Sequence, residues 1–449
     1  MGKTRFLLTG IDGLLAFAVL YLGFVLAGAA HANSHGTVGI KALLITLLLL
    51  LTASFAELYG RNPVFSRRDV LARVFGSLVL AGMVLWGAGR LFPEMQWSWQ
   101  TLAPTLLLFG VLQFFWHVRY MGILRNSVAA QRTLIIGTGH LAQKLKSALD
   151  ETSNNHLLEG FVQPEAESSL PGLRVLGTVD QLESLVDRFR IGKIVVALSE
   201  RRGVLPVREI LACKLEGVRV VDGLNFYEEL TGKLMIEGIN PSWLIFSDGF
   251  CVTAFMRLHK RFFDLFWALF GLILSLPLFP ILALLIKLDS PGPVFFLQAR
   301  VGKRERLFNV IKFRTMRQDA EKHSGAVWAQ KNDPRVTMLG GLLRKTRLDE
   351  IPQLINVLRG EMSFIGPRPE RPEFVQELNK KIPYYAKRHF VKPGITGWAQ
   401  VKYPYGASEE DALEKLRYDL YYIKNYSIWL DFTIVSETVK VVLFGRGGR

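Results

Sequence analysis

Asp349 and Glu350 form an adjacent pair of carboxylates in a stretch with helical spacing. Hydrophobic residues follow them on one helical face, at Ile351, Leu354, Ile355 and Leu358. Pro352 suits only the first turn of a helix and Gly360 suits its end, so the pattern predicts a short helix that begins near the acids. Free backbone N–H groups at a helix N-terminus favour carboxylates and phosphates. Neighbouring helical side chains point about 100° apart, so the two acids are expected to have different roles.

Arg368 lies between Pro367 and Pro369, which stiffen the backbone on both sides of it. A guanidinium held in this way suits bidentate contact with a phosphate. Together with the acid pair, it indicates phosphate chemistry. An acidic helix cap followed by a proline-rich turn would contain the same residues without any chemistry, and the segment alone leaves both interpretations open.

A row of seven Lys and Arg residues between positions 300 and 317 supplies further positive charge. The candidates for phosphate binding in this row are Arg300, Lys303, Lys312 and Arg314. Alternation along a strand would place Lys312 and Arg314 on one face and Phe313 on the other. Such a one-sided row suits lipid headgroups or a diphosphate. A solvated or lipid-binding surface is the simpler alternative.

The segment 262–288 is apolar and long enough to span a bilayer, but Pro277 interrupts it. Basic residues flank both of its ends, and a single crossing would leave the basic remainder of the chain outside, against the charge rule for membrane proteins. We therefore predict a re-entrant membrane helix that breaks at Pro277 and enters and leaves by the same face. A fifth complete crossing with a proline kink is the alternative.

The composition favours a membrane protein with an anionic partner. The 449 residues are 50% hydrophobic and carry a formal net charge of +16, which suits lipid headgroups or phosphorylated substrates. No nucleic-acid-binding signature accompanies the charge, so nucleic acid is not expected as a partner. Cys213 and Cys251 are the only cysteines, and their separation gives neither a disulfide framework nor a metal-ligand spacing.

Four apolar stretches, at 6–30, 40–59, 70–92 and 102–120, predict four transmembrane helices within residues 1–125. Basic residues cluster near one set of helix ends, namely Lys3, Arg5, Arg61, Arg67, Arg68, Arg119, Arg125 and Arg132, against only Lys41 and Arg90 on the other. This asymmetry predicts a cytoplasmic N-terminus and a cytoplasmic remainder of the chain. Asp12 and Glu57 could line a path for a lipid, or could form hydrogen bonds between helices or lie at the membrane interface.

Residues 132–235 alternate strand-like and helical patterns, which predicts a Rossmann-like α/β middle domain. Its first turn carries Gly137, Gly139 and Ala142 in a Gly-x-Gly-x-x-Ala pattern that could hold the phosphates of NAD or another nucleotide. A scaffold role without a ligand is the alternative. Residues 236–256 are predicted to form a connector.

With these residues assembled, region 257–449 resembles the bacterial sugar transferase family, the monotopic polyprenyl-phosphate hexose-1-phosphate transferases or phosphoglycosyl transferases. The resemblance rests on motifs in the family's order, namely 260–264 (KRFFD), 298–302 (QARVG), 312–316 (KFRTM), 332–335 (NDPR), 348–350 (LDE), 356–369 (NVLRGEMSFIGPRP) and 392–400 (KPGITGWAQ). The whole chain resembles long members with four membrane helices and a nucleotide-binding-like domain. The family's membrane break is often Ser-Pro, whereas here Leu276 precedes Pro277 and the serine is Ser275.

The resemblance implies an α/β catalytic domain at 257–449 that transfers a hexose 1-phosphate from a UDP-sugar to undecaprenyl phosphate and releases UMP. Asp349 would be the nucleophile that forms a phosphosugar intermediate. By the same resemblance, Mg²⁺ would lie near Asp349 or Glu350, and Arg368 with Arg300, Lys312 and Arg314 would stabilise the phosphates. The reaction would start exopolysaccharide or capsule synthesis at the cytoplasmic face of the bacterial inner membrane.

Two other functions are compatible with parts of the sequence. A membrane-anchored nucleotide-sugar dehydrogenase or epimerase would use Gly137 and Gly139 for NAD. Such an enzyme is expected to have a Tyr-x-x-x-Lys catalytic pair, and this sequence has no evident one near that domain. A non-catalytic assembly or regulatory protein would leave the acid pair and Arg368 without a role. The sequence leaves open which hexose and lipid length are used, the ligand of the middle domain, and whether the chain forms a homo-oligomer.

Overall fold

The computed structural model describes residues 2–26, 35–56, 58–59, 67–91, 98–128, 132–151, 157–164, 171–198, 205–238, 247, 249–250, 252–317, 333–403, 406 and 408–443. The chain divides into two units, Met1–Gly223 and Leu224–Arg449. The first contains membrane helices and a parallel sheet, and the second contains the acid pair. Asn332 of the 332–335 motif lies outside the described residues.

Four helices that are long and apolar enough to cross a membrane begin the described part of the chain. They are α1 (Gly2–Leu26), α2 (His35–Phe55), α3 (Arg67–Leu91) and α4 (Trp99–Val128). Leu20, Ile45 and Phe109 are buried where these helices meet, while other apolar side chains on the same helices are exposed. Helices that are apolar all round suit a lipid environment, so the protein is membrane-associated and the prediction of four apolar helices is confirmed.

Polar contacts join the helices of this bundle around Asp12. Its Oδ2 accepts hydrogen bonds from the Tyr59 hydroxyl (2.7 Å) and the Gln113 Nε2 (2.7 Å), and it lies 2.9 Å from the His117 Nε2. Asp12 is fully buried, so of the roles considered for it the structure supports hydrogen bonding between helices. Glu57, and Arg61 of the basic residues used for orientation, lie outside the described residues.

A five-stranded parallel sheet follows in the first unit, with the order β3-β2-β1-β4-β5. Its strands are β1 (Arg132–Ile136), β2 (Leu157–Gln163), β3 (Val175–Thr178), β4 (Ile191–Val196) and β5 (Arg219–Asp222). Its helices are α5 (His140–Glu151), α6 (Leu182–Phe189) and α7 (Val207–Leu215), with a short 3-10 helix at Val179–Gln181. The central strands β1 and β4 are largely buried, as expected of parallel strands covered on both faces. The predicted α/β region is present, and its nucleotide-binding role stays a prediction.

The predicted nucleotide-binding residues lie where β1 leads into α5. Gly137 has a φ of +121°, and a Cβ at this position would collide with the backbone oxygen of Ala197. The neighbouring strand therefore requires glycine here whether or not a ligand binds. Gly139 precedes α5 and Ala142 is buried within it. Strand β2 ends at Gln163 rather than at the acid that commonly binds a ribose.

The second unit begins with α8 (Gly223–Thr231), a 3-10 turn at Ile236–Gly238 and a bent pair of apolar helices, α9 (Ala254–Ser275) and α10 (Leu278–Asp289). The pair bends by 63° and fits either a broken crossing or a re-entrant loop by length and composition. Helix α9 begins at Ala254 rather than at the predicted residue 262, because Thr253 caps it by accepting a hydrogen bond from the Met256 N–H (3.2 Å).

The bend occurs at Pro277, as the sequence predicts. Pro277 is the N-cap residue of α10 and has no N–H to continue the hydrogen bonds of α9. The Ser275 hydroxyl donates to the Leu272 carbonyl oxygen (3.1 Å). That serine is therefore bonded within the last turn of α9, before the break.

Two small sheets and six helices complete the described part of this unit. Strands β6 (Phe295–Val301) and β7 (Leu307–Phe313) are antiparallel, with a 3-10 turn at Lys303–Glu305 between them, and β8 (Ser363–Ile365) pairs in parallel with β9 (Gly394–Thr396). The helices are α11 (Met338–Thr346), α12 (Gln353–Arg359), α13 (Pro372–Lys381), α14 (Trp398–Lys402), α15 (Glu409–Lys424) and α16 (Ile428–Leu443), with 3-10 segments at Leu348–Glu350 and Tyr385–Phe390. Trp398, Leu416 and Tyr422 belong to the main core.

Candidate active site

The acid pair lies in the 3-10 turn Leu348–Glu350, between α11 and α12. Arg347 before the turn has a left-handed backbone (φ 61°), which ends α11, and Pro352 is the N-cap residue of α12. The helix therefore begins just after the acids rather than at them. Asp349 and Glu350 are 8% and 7% exposed, so both carboxylates are largely removed from water.

Two side chains hold α12 in place. Arg261 of α9 donates from Nη1 to the Val357 carbonyl oxygen (2.8 Å) and from Nη2 to that of Leu358 (2.9 Å), which caps the last turn of α12. Asn356 of α12 accepts a hydrogen bond at Oδ1 from the Ile311 N–H of β7 (3.0 Å). The helix after the acid pair is thus bonded to both the first half of the bent apolar pair and the β6–β7 hairpin.

Glu350 is surrounded by three cations. Its Oε1 accepts a hydrogen bond from the Arg368 Nη2 (2.7 Å) and lies 3.4 Å from the Arg347 Nη1 and 3.7 Å from the Lys312 Nζ. Burial disfavours the charged carboxylate, but the positive charges of Arg368, Lys312 and Arg347 outweigh it and hold the pKa of Glu350 well below its usual range. Glu350 is therefore an ionised group that fixes basic side chains.

Asp349 has the opposite surroundings. Burial and then the negative charge of Glu350 raise the pKa of Asp349 above its ordinary value. Its Oδ1 is buried and accepts no hydrogen bond from the residues that the structure describes. A carboxylate oxygen without donors keeps its lone pairs for a phosphorus atom or a cation. The neighbouring acids thus differ in environment, in line with the separate roles expected of them.

Two of the predicted phosphate-binding residues, Lys312 and Arg300, lie close enough to Glu350 for its charge to act on both. Burial lowers the pKa of Lys312 to about 8 and the pKa of Arg300 to about 10. Arg300 also donates to the Pro369 carbonyl oxygen (3.1 Å) and to the Gln298 Oε1 (2.6 Å). The structure therefore brings these two residues together with the acid pair and the segment that carries Arg368.

Arg368 is held by both its side chain and its backbone. Its Nη1 donates to the Gln400 Oε1 (3.0 Å), while its Nη2 is bonded to Glu350. Its carbonyl oxygen accepts a hydrogen bond from the Arg388 Nη2 (3.1 Å), and Arg388 in turn donates to the Asp419 Oδ2 (2.8 Å). The flanking prolines are thus only part of what fixes this guanidinium.

The sequence patterns did not single out the buried pair of Arg388 and Asp419. The two residues lie 31 positions apart, so no local spacing relates them. Gln400 could have been found from the sequence, because it is the last residue of the 392–400 motif. A small cavity lies beside these residues and is lined by Arg368, Glu370, Arg388, Ala399, Gln400, Tyr403, Lys415 and Asp419.

The other two predicted phosphate-binding residues lie elsewhere. Lys303 is exposed on the turn between β6 and β7, where partial loss of hydration, followed by the charges of Arg304 and Arg257, lowers its pKa. Arg314 is bonded to Ser290, just beyond the end of α10. The cations expected to form one row therefore lie in three places, namely near Glu350, on the turn between β6 and β7, and at the end of α10.

The acid pair offers few ligands for magnesium. No group of three or more His, Cys, Asp or Glu side chains able to hold a metal occurs in the described ranges. Mg²⁺ is usually bound by one or two carboxylates together with substrate phosphates, and the unpaired Asp349 Oδ1 fits that arrangement. The Glu350 Oε1 fits it less well, because basic side chains already surround it. The residues therefore fit Mg²⁺ at Asp349.

Comparison with known proteins agrees with the family that the motifs resemble. Residues 255–445 match the sequence model of the family described as bacterial sugar transferase. A UDP-glucose:undecaprenyl-phosphate glucose-1-phosphate transferase of Xanthomonas campestris pv. campestris is 31% identical over 410 residues, which are 89% of this chain and 81% of that protein. The similarity therefore extends beyond the C-terminal region.

Two further relatives are more similar over shorter regions. A UDP-N-acetylgalactosamine-undecaprenyl-phosphate N-acetylgalactosaminephosphotransferase of Aeromonas hydrophila is 46% identical over 242 residues, which are 54% of this chain and 56% of that protein. The exopolysaccharide production protein PSS of Rhizobium leguminosarum bv. phaseoli is 45% identical over 188 residues, which are 40% of this chain and 92% of that protein. The chain thus spans little more than half the length of the Aeromonas relative.

Asp419→Ala is expected to lower the free energy of unfolding by about 3–5 kcal/mol, because it leaves the buried Arg388 guanidinium without its carboxylate. Denaturant unfolding of detergent-purified protein measures the change. Glu373→Ala is the matched control, since Glu373 is 60% exposed and lies 3.5 Å from Arg371, and its loss should cost less than about 1 kcal/mol. Equally small effects of both substitutions would contradict the anchoring role of Asp419.

Proposed function

The chain belongs to the bacterial sugar transferase family, and we propose that it transfers a sugar 1-phosphate from a UDP-sugar to undecaprenyl phosphate and releases UMP. The activities named for the Xanthomonas and Aeromonas relatives support this reaction class. The observation that carries the proposal is the unpaired, buried Asp349 Oδ1 beside a carboxylate that cations already neutralise.

In the first step, an Asp349 carboxylate oxygen attacks the β-phosphorus of the UDP-sugar. A new O–P bond forms while the bond from that phosphorus to the bridging oxygen breaks, and UMP leaves with the electron pair. The raised pKa of Asp349 makes its oxygen more basic than that of an ordinary carboxylate. The product is an acyl phosphate between the protein and the sugar.

Basic side chains stabilise the charge that develops in this step. Arg368, Lys312 and Arg300 are already oriented by Glu350 and by the backbone at Pro369, so little reorganisation is needed when a diphosphate binds. Asp349 would hold Mg²⁺, whose charge would offset further negative charge of the diphosphate. Glu350 serves as a positioning residue rather than as a second nucleophile.

In the second step, an oxygen of undecaprenyl phosphate attacks the phosphorus of the intermediate. The bond to Asp349 breaks, its electron pair returns to the carboxylate, and the sugar is left on a lipid diphosphate. This two-step scheme needs one residue to face both substrates in turn, which suits a single carboxylate without a fixed hydrogen-bond donor.

We place this reaction at the cytoplasmic face of the bacterial inner membrane. The basic residues near the helix ends support that orientation and a re-entrant segment, with which the 63° bend between α9 and α10 is compatible. A re-entrant helix would let a soluble UDP-sugar and a membrane-bound lipid phosphate meet at one depth. The similarity to the Rhizobium exopolysaccharide production protein supports exopolysaccharide production as the pathway.

Asp349→Asn is expected to abolish UMP release from UDP-sugars, because an amide cannot form the acyl phosphate. Release is measured with detergent-purified protein, undecaprenyl phosphate and a panel of UDP-sugars. Asp187→Asn, at an exposed position of α6, is the control and should keep full activity. UMP release by Asp349→Asn at the native rate would overturn the assignment of the nucleophile, and release of UDP instead of UMP would overturn the reaction class.

Lost activity in this variant can be separated from misfolding. A carboxyl whose pKa is higher in the folded than in the unfolded chain destabilises the fold at neutral pH. Asp349→Asn removes that ionisable group, so its melting temperature should equal or exceed that of the native protein.

The pH dependence of kcat/KM for the UDP-sugar should have an alkaline limb near pH 8. Lys312 is charged below its pKa of about 8 and loses its charge as the pH rises through that value. Lys312→Arg keeps the charge at higher pH and should move the limb upward, whereas Lys345→Arg, exposed on α11, should not. An unchanged limb in Lys312→Arg would exclude Lys312 as its origin.

The acid limb should lie above about pH 3.9, the ordinary Asp value, because the pKa of Asp349 is raised.

The re-entrant topology can be tested with a cysteine at Leu288, an exposed residue near the end of α10. After Cys213 and Cys251 are replaced by serine, a membrane-impermeant thiol reagent should label Leu288→Cys only from the cytoplasmic side. Trp99→Cys, at the start of α4, should be labelled only from the opposite side. Labelling of Leu288→Cys from outside would support a fifth crossing.

A further inference from the structure

Residues 224–238 precede the region that matches the family model, which begins at residue 255. They nevertheless lie in the unit that contains the acid pair, and they include most of α8 and the 3-10 turn Ile236–Gly238. Leu234 and Ile236 are 2% and 4% exposed and belong to the main core, together with Leu416 of α15. The 224–238 segment is therefore part of the core of this unit.

Polar contacts bind the 224–238 segment to α15. The Glu228 Oε2 lies 2.6 Å from the Lys424 Nζ, and the two side chains are 8% and 7% exposed. The Asn425 Nδ2 donates a second hydrogen bond, to the Glu228 Oε1. The Leu234 N–H donates to the carbonyl oxygen of Arg417, within α15 (3.1 Å). Since breaking a buried ion pair is strongly destabilising, these contacts fix α15 against the segment.

A tryptophan connects the same segment to α14. The Trp398 Nε1 donates to the Gly232 carbonyl oxygen (2.8 Å), and Trp398 is 2% exposed. Its ring stacks on Tyr421 of α15, with ring centroids 6.0 Å apart. A buried polar group that loses its partner is costly, so this hydrogen bond holds the first residue of α14 in place.

Helix α14 depends on such contacts because it is very short. It has five residues, Trp398–Lys402, and an isolated helix of this length is unstable because its first turn fixes several residues for few hydrogen bonds. Gln400 lies in the middle of α14, and its Nε2 also donates to the Ile395 carbonyl oxygen (3.2 Å). The position of Gln400 is therefore set largely by how Trp398 is anchored.

Both supports of Arg368 lie on helices that the 224–238 segment contacts. Gln400 of α14 accepts the hydrogen bond of the Arg368 Nη1 (3.0 Å). Asp419 of α15 binds Arg388, which donates to the Arg368 carbonyl oxygen (3.1 Å). The segment thus reaches the guanidinium through α14 and its backbone through α15.

We propose that the 224–238 segment positions Arg368 for the donor diphosphate, with Trp398 as the positioning residue that links them. The proposal rests on the proposed function, in which Arg368 stabilises the charge that develops as UMP leaves. Trp398 is buried against Gly232 and Tyr421 and acts through Gln400 rather than on the substrate. The functional transferase therefore includes residues that precede the region 255–445 matched by the family model.

Trp398→Phe keeps an aromatic ring in the core and removes the indole N–H. The single-turnover rate of UMP release at saturating UDP-sugar should fall at least about tenfold, because small displacements of a charge-stabilising group are costly in the transition state. Trp429→Phe is the matched control, since it makes the same change at a residue of α16 that is 58% exposed, and it should keep the native rate. A native rate in folded Trp398→Phe would overturn the proposal.

A second control separates positioning from stability. Ile434 is fully buried in the same core as Trp398, so Ile434→Val should lower the melting temperature by opening a small cavity and leave the rate of UMP release unchanged. If Trp398→Phe does not fold, Glu228→Gln takes its place, because it removes the charge that pairs with Lys424 at nearly constant volume. Glu228→Gln should also slow UMP release, and a native rate in that folded variant would contradict the role of the segment.

A double-mutant cycle tests whether Trp398 acts through Gln400. Gln400→Ala removes the acceptor of the Arg368 Nη1. In that background Trp398→Phe should slow UMP release by less than about twofold, because two residues that act through one contact are not additive. A full tenfold loss in both backgrounds would show that Trp398 does not act through Gln400 and would overturn its assignment as a positioning residue.

A binding measurement tests the proposal without turnover. UDP carries the diphosphate without a sugar, and its Kd, measured by calorimetry, should be at least about fivefold higher for Trp398→Phe than for the native protein, as expected when a charge-assisted hydrogen bond is weakened. Trp429→Phe should bind UDP like the native protein. Equal affinities of the native protein and Trp398→Phe would count against the positioning of Arg368. If the native protein released no UMP from any UDP-sugar, the proposed function would fail, whereas the UDP titration would still decide this inference.

Discussion

The buried Glu350 carboxylate and the cations around it form the interaction on which the rest of the site depends. A charge removed from water must be paired, and Glu350 is paired with Arg347, Lys312 and Arg368, which come from separate parts of the chain. This one anion therefore gathers the positive charge that a diphosphate would need. Burial and the negative charge of Glu350 raise the pKa of Asp349, so the neighbouring carboxylates acquire different chemistry.

The site is also bonded to both halves of the bent apolar pair. Arg261 of α9 caps the helix that follows the acids, and Arg314 is bonded to the end of α10. Any shift of the bent pair relative to the hairpin would therefore disturb buried hydrogen bonds of charged groups, which are among the stronger polar interactions. These hydrogen bonds connect both halves of the bent pair to the segments on either side of Asp349.

The middle sheet illustrates how a familiar motif can arise from packing. Gly137 lies in a Gly-x-Gly-x-x-Ala pattern, yet the backbone of Ala197, just after β4, already excludes a side chain there. The strand that would carry a ribose-binding acid ends at Gln163. Gly137 is thus explained by the close approach of the neighbouring backbone, and it does not by itself require a nucleotide.

Local features of the sequence determined the four apolar helices, the parallel α/β region, the break at Pro277 and the helix that begins beside Asp349 and Glu350. Each depends on spacing, apolar length or proline stereochemistry within a short segment. Only the tertiary structure decided which cations meet Glu350, that Lys303 and Arg314 lie elsewhere, and that Asp419 anchors Arg388. These contacts join residues far apart in the chain, and burial and electrostatic surroundings arise from the packing of distant segments, which no local periodicity encodes.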